Sequence, residues 1–354
     1  MKQIKAAVVG LGDMGIIHAN AYMNNPDVKI IAVCDKNKKI LNRFIKGPWN
    51  WKGWWPTNLD YCCFSRPKYQ IKEVYTDYNA VACNEEIDVV SICVPDVFHS
   101  SIAVSMLNNN KHILLEKPMA PIINDCTEIV SAAQESRARV MVGHMWRFHS
   151  EVKFIRDAVQ AGLLGQIVKT KGYAIYIRSA PSGWFLQKKY AVRGSALNMG
   201  VHAVDTVRYL LGNKKASTVY AKIKTNYGSY SVDDSGIIVI EFSGGPVSII
   251  ETGHNHPYAD GKEASTQLFG TKGYARVFPT EVQYKIGDIW GTYKPDTNEY
   301  HLSPRMYQEE IDHFIDCIIH DKKSIIEGTD AMENIKIIDA AYQSSRLGKV
   351  IRLN

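Results

Sequence analysis

The glycine-rich stretch Gly10-Leu11-Gly12-Asp13-Met14-Gly15 follows the apolar run Ile4 to Val9 and leads into a helix-like segment, Ile16 to Tyr22. A strand, a glycine turn and a helix start form the context in which G-x-G-x-x-G holds a dinucleotide. Gly10 would allow the tight turn. Gly12 would let backbone N–H groups approach a pyrophosphate, and Gly15 would let the helix pack on its strand. The phosphates would sit at the helix N-terminus, where open N–H groups and the macrodipole favour negative charge. Leu11, Asp13 and Met14 complete the turn. Asp35 ends the next apolar run, Val28 to Cys34, twenty residues beyond Gly15. That spacing suits a carboxylate that accepts hydrogen bonds from an adenosine ribose. It would repel a 2′-phosphate, so NAD is expected over NADP, although Lys36 beside it leaves NADP open. A third candidate, Lys117, sits between Glu116 and Pro118 at the end of the run Lys111 to Leu115.

The elements that must position these residues alternate. Apolar runs at 74–77, 87–94, 111–115 and 140–144 read as strands, with helical stretches at 101–107 and 124–135 between them. This rhythm predicts a parallel, doubly wound α/β sheet over about residues 1–145. Gly10, Asp35, Pro95 and Glu116-Lys117-Pro118 then all fall at the C-terminal ends of strands, the edge where open α/β sheets bind ligands. Residues 46–72 interrupt the rhythm. Trp49, Trp51, Trp54 and Trp55 crowd around glycines and prolines with no clean period. A long loop of this kind is either a flap over the cofactor or substrate mouth, or a satellite cluster or oligomer contact.

Residues 146–354 read as a second, α+β domain. Alternating apolar and polar segments at 167–178, 219–224, 237–242, 247–251, 265–270 and 275–278 suggest an open, mostly antiparallel sheet. Amphipathic patterns at 309–320 and 332–347 are helical. The segment from Ala196 to Leu211 also has a helix pattern. It would place Asn198 and His202 on one face, four residues apart, with Asp205 near His202.

Composition narrows the setting. The chain has 354 residues, 45% hydrophobic and 22% charged, ordinary values for a globular chain of two domains. A formal charge of +6 with no long basic run gives no reason to expect a nucleic-acid partner. No C-x-x-C pair occurs among the seven cysteines, so no metal site is expected. With no signal-peptide pattern and no apolar stretch of membrane length, the expected setting is a reducing cytoplasm without membrane contact.

The sequence resembles the glucose–fructose oxidoreductase, inositol dehydrogenase and MocA (Gfo/Idh/MocA) family of NAD(P)-dependent enzymes. The resemblance rests on the glycine motif, Asp35, Val94-Pro95-Asp96 with His99, and Glu116-Lys117-Pro118. It continues through Trp146-Arg147-Phe148, Gly162-x-x-Gly165 and Asn198-Met199-Gly200-Val201-His202-Ala203-Val204-Asp205. It implies a Rossmann domain followed by an open-sheet domain, with subunits paired through that sheet as a homodimer or homotetramer. It also implies that Val94, Pro95, His99 and Glu116 join Lys117 around the cofactor. Lys117 and the motif histidine, His202, would work near the nicotinamide.

The expected chemistry is hydride transfer between a secondary alcohol of a sugar, sugar derivative or cyclic polyol and the nicotinamide. His202 would take the hydroxyl proton, since imidazole titrates near neutrality. Lys117 would donate a hydrogen bond to the substrate oxygen and stabilise its developing charge. Glu116 would orient the loop or touch the cofactor. Many sugar and polyol dehydrogenases of the family carry Asp at the place of Asn198. Asn cannot charge-pair with His202, but it can fix the ring or bind a hydroxyl. Arg147, Trp184, Arg193, His254 and Tyr307 are candidate substrate contacts, and Arg178 with Arg193 could meet an acidic group. Two other readings share the fold: a glycoside-cleaving enzyme that oxidises its substrate transiently, and a non-enzymatic NAD-binding regulator.

Overall fold

The structure, a computed structural model, describes residues 3–46, 71–178, 182–257, 263–296 and 302–353. Most of the tryptophan-rich insert, with Cys62 and Cys63, lies outside the described residues. The chain forms two compact units. The first comprises Met1–Ala120, Asn124–Met145 and Pro304–Thr329, and the second Pro121–Ile123, Trp146–Ser303 and Asp330–Asn354.

The first unit contains β1 (Ile4–Val9), α1 (Asp13–Asn24), β2 (Val28–Cys34), α2 (Lys38–Lys46), β3 (Glu73–Tyr75) and α3 (Tyr78–Cys83). It continues with β4 (Val89–Ile92), α4 (His99–Asn108), β5 (His112–Glu116), α5 (Ile123–Glu135) and β6 (Val140–Gly143). All strand pairs are parallel, in the order β3-β2-β1-β4-β5-β6. The direction of winding reverses between β1 and β4, which makes their C-terminal ends the place for a ligand. Residues 89–92 are buried throughout, as are 6–9 of β1 and 113–116 of β5. Burial on both sheet faces is why these strands read as unbroken apolar runs.

The second unit begins with α6 (Ser150–Gln160), β7 (Ile167–Ile177), α7 (Lys188–Ala191), α8 (Ser195–Asn198) and α9 (Gly200–Leu210). Strands β8 (Ala216–Lys224), β9 (Ser235–Phe242), β10 (Val247–His256), β11 (Ala264–Gly270), β12 (Gly273–Val277), β13 (Glu281–Ile286) and β14 (Ile289–Tyr293) follow. Helix α10 (Pro304–Ile319) belongs to the first unit, while most of α11 (Gly328–Leu347) and β15 (Ile351–Arg352) belong to the second. The sheet has nine strands in the order β14-β13-β12-β11-β7-β10-β9-β8-β15, antiparallel except for β7 with β10. In β9, Gly236, Ile238, Ile240 and Phe242 are buried while Ile237 is 53% exposed. Helix α9 packs on the inner face over Gly172, where a Cβ would stand 3.2 Å from Val207 and 3.7 Å from Ala203.

Two features differ from the sequence reading. Residues 304–329 were expected in the second domain, but α10 packs on α1, with Asn25 donating to Asp312 and Gln308 to the carbonyl of Ala21. The helix expected over 196–211 is interrupted at Met199. The Asn198 N–H reaches back four residues to Gly194, whereas the His202 N–H reaches back only three, to Met199. Asn198 therefore ends one helix and His202 stands in the first turn of the next, so the expected four-residue pairing on one helix does not hold.

Candidate active site

In the first unit the glycine turn has the geometry its residue types require. Gly10 has φ +88°, and a Cβ there would lie 2.2 Å from the carbonyl oxygen of Cys93. A Cβ on Gly15 would meet the Gly10 carbonyl oxygen at 1.8 Å, so only glycine lets α1 start this close to β1. Gly12 faces open space, and no side chain caps the N-terminus of α1. That leaves backbone donors for a pyrophosphate. Asp35 Oδ2 accepts the Leu11 N–H at 2.9 Å and Oδ1 accepts the Asn37 N–H at 2.8 Å. The carboxylate thus ties the glycine turn to the end of β2. Its remaining lone pairs stay available to ribose hydroxyls.

Lys117 follows β5. It is half-buried, and partial burial lowers its pKa from the ordinary lysine value while Glu116 and Asp96 oppose that drop. The Glu116 carboxylate accepts from His18 Nε2 at 3.1 Å through one oxygen and from the Lys117 N–H at 3.0 Å through the other. Of the two roles expected for Glu116, this geometry is the orienting one. Burial alone would raise its carboxyl, but His18, Lys117 and His99 hold it below the usual range. Burial pushes Asp96 up to about 8 against the pull of Lys117. Gly143, at the end of β6, leaves room for Glu116, since a Cβ there would stand 3.2 Å from its Oε1.

His99 differs from expectation. It is fully buried, with Nδ1 2.8 Å from the Pro118 carbonyl and Nε2 2.9 Å from the Val94 carbonyl. The ring clamps the loops that carry Val94, Pro95 and Pro118 instead of presenting a face to a cofactor. Three residues of this region escaped the sequence reading as site members: His18, Ser91 and Asp96. His18 lies on the buried face of α1, and its polarity within an otherwise apolar stretch was the only available signal.

In the second unit, Asn198 Nδ2 donates to His254 Nε2 at 3.3 Å, and the His202 ring lies 5.0 Å from that of Trp146. All three polar side chains are buried. An amide can donate to a neutral imidazole nitrogen where a carboxylate could not. This gives Asn198 a partner that the family's more common Asp would address differently.

Arg147 does other work than expected. Arg147 is fully buried, and its Nε lies 2.9 Å and its Nη2 2.6 Å from the Asp205 carboxylate. Its Nη1 lies 2.9 Å from Asp330, which also binds Arg208 at 2.8 Å. Asn334 donates to Asp205 at 2.7 Å. The expected substrate contact at Arg147 is therefore corrected: its guanidinium is enclosed by protein carboxylates, with no surface left for a sugar. Asp205 serves this ion network. Arg193 pairs with Asp339 and stacks 4.5 Å over the Tyr342 ring, so it is not a bare cation for an acidic substrate. Arg178 donates to the Pro257 carbonyl. One face of Trp184 is stacked on Phe185, with ring centroids 3.8 Å apart. Tyr307 lies buried on α10, in the first unit. Among the described residues no cluster of His, Cys, Asp and Glu could hold a metal ion.

Residues 4–144 match the model described as "Oxidoreductase family, NAD-binding Rossmann fold", and residues 152–276 match the GFO/IDH/MocA C-terminal domain. The chain belongs to the Gfo/Idh/MocA oxidoreductase family. Its first domain is the family's NAD-binding fold, and the glycine turn with Asp35 is the part of this structure that fits the dinucleotide. Among the relatives of this Gfo/Idh/MocA protein is scyllo-inositol 2-dehydrogenase (NAD(+)) of Bacillus subtilis. It is 24% identical over 361 residues, covering 99% of this chain and 97% of the relative. D-glucoside 3-dehydrogenase of Escherichia coli is 26% identical over 296 residues, covering 79% and 78%. The fold is shared with levoglucosan dehydrogenase in complex with NADH and levoglucosan, at a TM-score of 0.82, 20% identity and 99% coverage of both chains.

Proposed function

We propose that this protein is an NAD-dependent dehydrogenase that oxidises a secondary alcohol of a sugar, sugar derivative or cyclic polyol. The observation that carries this reading is Lys117: a half-buried lysine just past the C-terminal end of β5, beside Glu116 and with Asp96 favouring its charged form, at the same sheet edge as the glycine turn. The bound nicotinamide supplies the hydride acceptor. Lys117 donates a hydrogen bond to the substrate oxygen, where negative charge grows as the O–H bond breaks. His202 accepts the hydroxyl proton, and Asn198 binds a substrate hydroxyl or holds the neighbouring imidazole in place. The relatives named for inositol and glucoside oxidation support an uncharged polyhydroxylated substrate, in keeping with the pairing of Arg193 by Asp339. They favour net dehydrogenation over glycoside cleavage or a purely regulatory role.

A screen of sugars, sugar acids and inositols, monitored by reduced-nicotinamide absorbance with NAD and with NADP, tests the reading. NADH formation with at least one neutral sugar or inositol is expected, with NAD the better cofactor. No reduction of either cofactor across the panel would overturn it.

The outer face of the nine-stranded sheet supports a homodimer or homotetramer. Tyr220 is exposed beside Val239 and Ile249, and Ile237 is exposed beside Glu251. These apolar side chains, bordered by Lys222 and Glu251, form a patch suited to pairing with a second copy. Ile237→Glu is expected to lower the mass measured by light scattering toward that of a single chain. An unchanged mass would remove the sheet from the interface. The free thiols at Cys34, Cys83, Cys93 and Cys317 support a reducing cytoplasm as the setting.

A further inference from the structure

Behind Lys117 lies a buried chain of polar side chains that the proposed reaction does not use directly. Glu116 contacts His18 Nε2 at 3.1 Å, His18 Nδ1 contacts Ser91 Oγ at 3.0 Å, and Ser91 Oγ contacts the Tyr22 hydroxyl at 2.9 Å. His18, Ser91 and Tyr22 are fully buried, and Glu116 is 6% exposed. The chain joins α1, β4 and the end of β5 within the first unit. We propose that His18 is a positioning residue that acts on Lys117 through Glu116. Its Nε2–H fixes the carboxylate as an ion, and the carboxylate in turn fixes the backbone and the charge of Lys117. The inference rests on the assignment of Lys117 as the group that binds the substrate oxygen.

A buried carboxylate is costly to ionise unless donors meet it. Glu116 has two, the Lys117 N–H and the His18 ring. The Ser91 hydroxyl donates to Tyr22, so its oxygen faces the ring Nδ1 with a lone pair, and the ring turns its Nε2–H to the Glu116 carboxylate. The titratable groups around this chain are Asp96 and Lys117 from the loops after β4 and β5, His99 from α4, Cys93, and Glu310 from α10, which acts on Tyr22 and Cys93. Glu116 and Asp96 both favour the charged form of Lys117, and only Glu116 is held by His18. Loss of the His18 donor would raise the cost of an ionised Glu116. Lys117 would then lose its nearest stabilising charge and release its proton at lower pH.

Glutamine and asparagine separate the two ring nitrogens. The side-chain nitrogen of His18→Gln can stand near Nε2 and keep a donor to Glu116, while that of His18→Asn stands near Nδ1 and keeps only the Ser91 contact. The readout is the pH dependence of Lys117 acylation by acetic anhydride in the full-length protein, measured by peptide mass spectrometry. It needs no turnover. His18→Asn and Glu116→Gln are expected to move the midpoint of Lys117 reactivity downward, with about tenfold more acylation at neutral pH than in the wild type. His18→Gln should leave the midpoint near the wild-type position. Unchanged midpoints in His18→Asn and Glu116→Gln would overturn the proposal, as would equal shifts in His18→Asn and His18→Gln. If His18→Asn does not fold, His18→Ala removes the same Nε2 donor, and an unchanged Lys117 midpoint in it would overturn the proposal. Turnover retained by Lys117→Ala would sink the catalytic assignment without altering these midpoints, so the two failures are distinguishable.

Discussion

Lys117→Ala is expected to reduce kcat for alcohol oxidation by about a thousandfold, the usual cost of removing a charged donor aimed at a developing oxyanion. The affinity for NAD should stay within about threefold, because the glycine turn and Asp35 carry that binding on other strands. Steady-state kinetics beside a calorimetric NAD titration would check both halves. Turnover close to that of the wild type would eliminate the mechanism. Joint loss of NAD binding would place the lysine in the cofactor site instead. The pH dependence has a definite sign. A hydrogen-bond donor must keep its proton, so activity that depends on Lys117 falls as pH rises through its pKa. Burial lowers that pKa, with Glu116 and Asp96 opposing it. The alkaline loss should therefore set in below the ordinary lysine range, and Lys117→Ala should remove it from the residual rate.

Arg147→Ala is expected to destabilise the fold by about 3–5 kcal/mol, since it leaves the buried Asp205 carboxylate without its cation. Asp205 would lose its forked partner, and Asp330 would keep only Arg208. Arg147→Lys should recover little of this, because an ammonium cannot reproduce the planar fork that spans Asp205 and Asp330. Denaturant midpoints would measure the loss. The experiment also decides between the two roles considered for this residue. A substrate contact would raise KM and leave the midpoint in place. A structural cation lowers the midpoint and leaves KM of the surviving folded enzyme nearly unchanged.

Asn198 shows how a departure from a family pattern gains meaning from geometry. Sequence alone allows the amide to hold His202 or a substrate hydroxyl. In the structure it donates to His254, on β10, 56 residues away. Thr252 on the same strand donates to the Ser195 carbonyl of α8. These contacts seat the short helix that ends in Asn198 against the sheet.

The Rossmann half was legible because its information is local. Strands buried on both faces appear as apolar runs, and β1 and β2 match the sequence reading residue for residue. The glycine turn was legible because Gly10 and Gly15 satisfy steric demands that no other residue meets, and such demands leave a fixed spacing. Lys117 was legible from its place at a strand end. The second half was readable to the level of its sheet, since β9 alternates as a half-exposed strand must. Strands β13 and β14 were missed: all of β14 is exposed, so no buried face imposed a pattern. Only the tertiary structure decided the partners. Arg147 and Asp205 are 58 residues apart, and His18 and Glu116 are 98 apart. Periodicity records whether a side chain is buried, not which distant group it meets. For charged and polar residues that second fact decides between a site and a scaffold. By itself the sequence determined the nucleotide fold, the glycine turn and the place of Lys117 just past the end of β5. The folded chain made Arg147 a structural cation, His99 a clamp, and His18 the support beneath Glu116, because those roles exist only once distant strands and helices close around them.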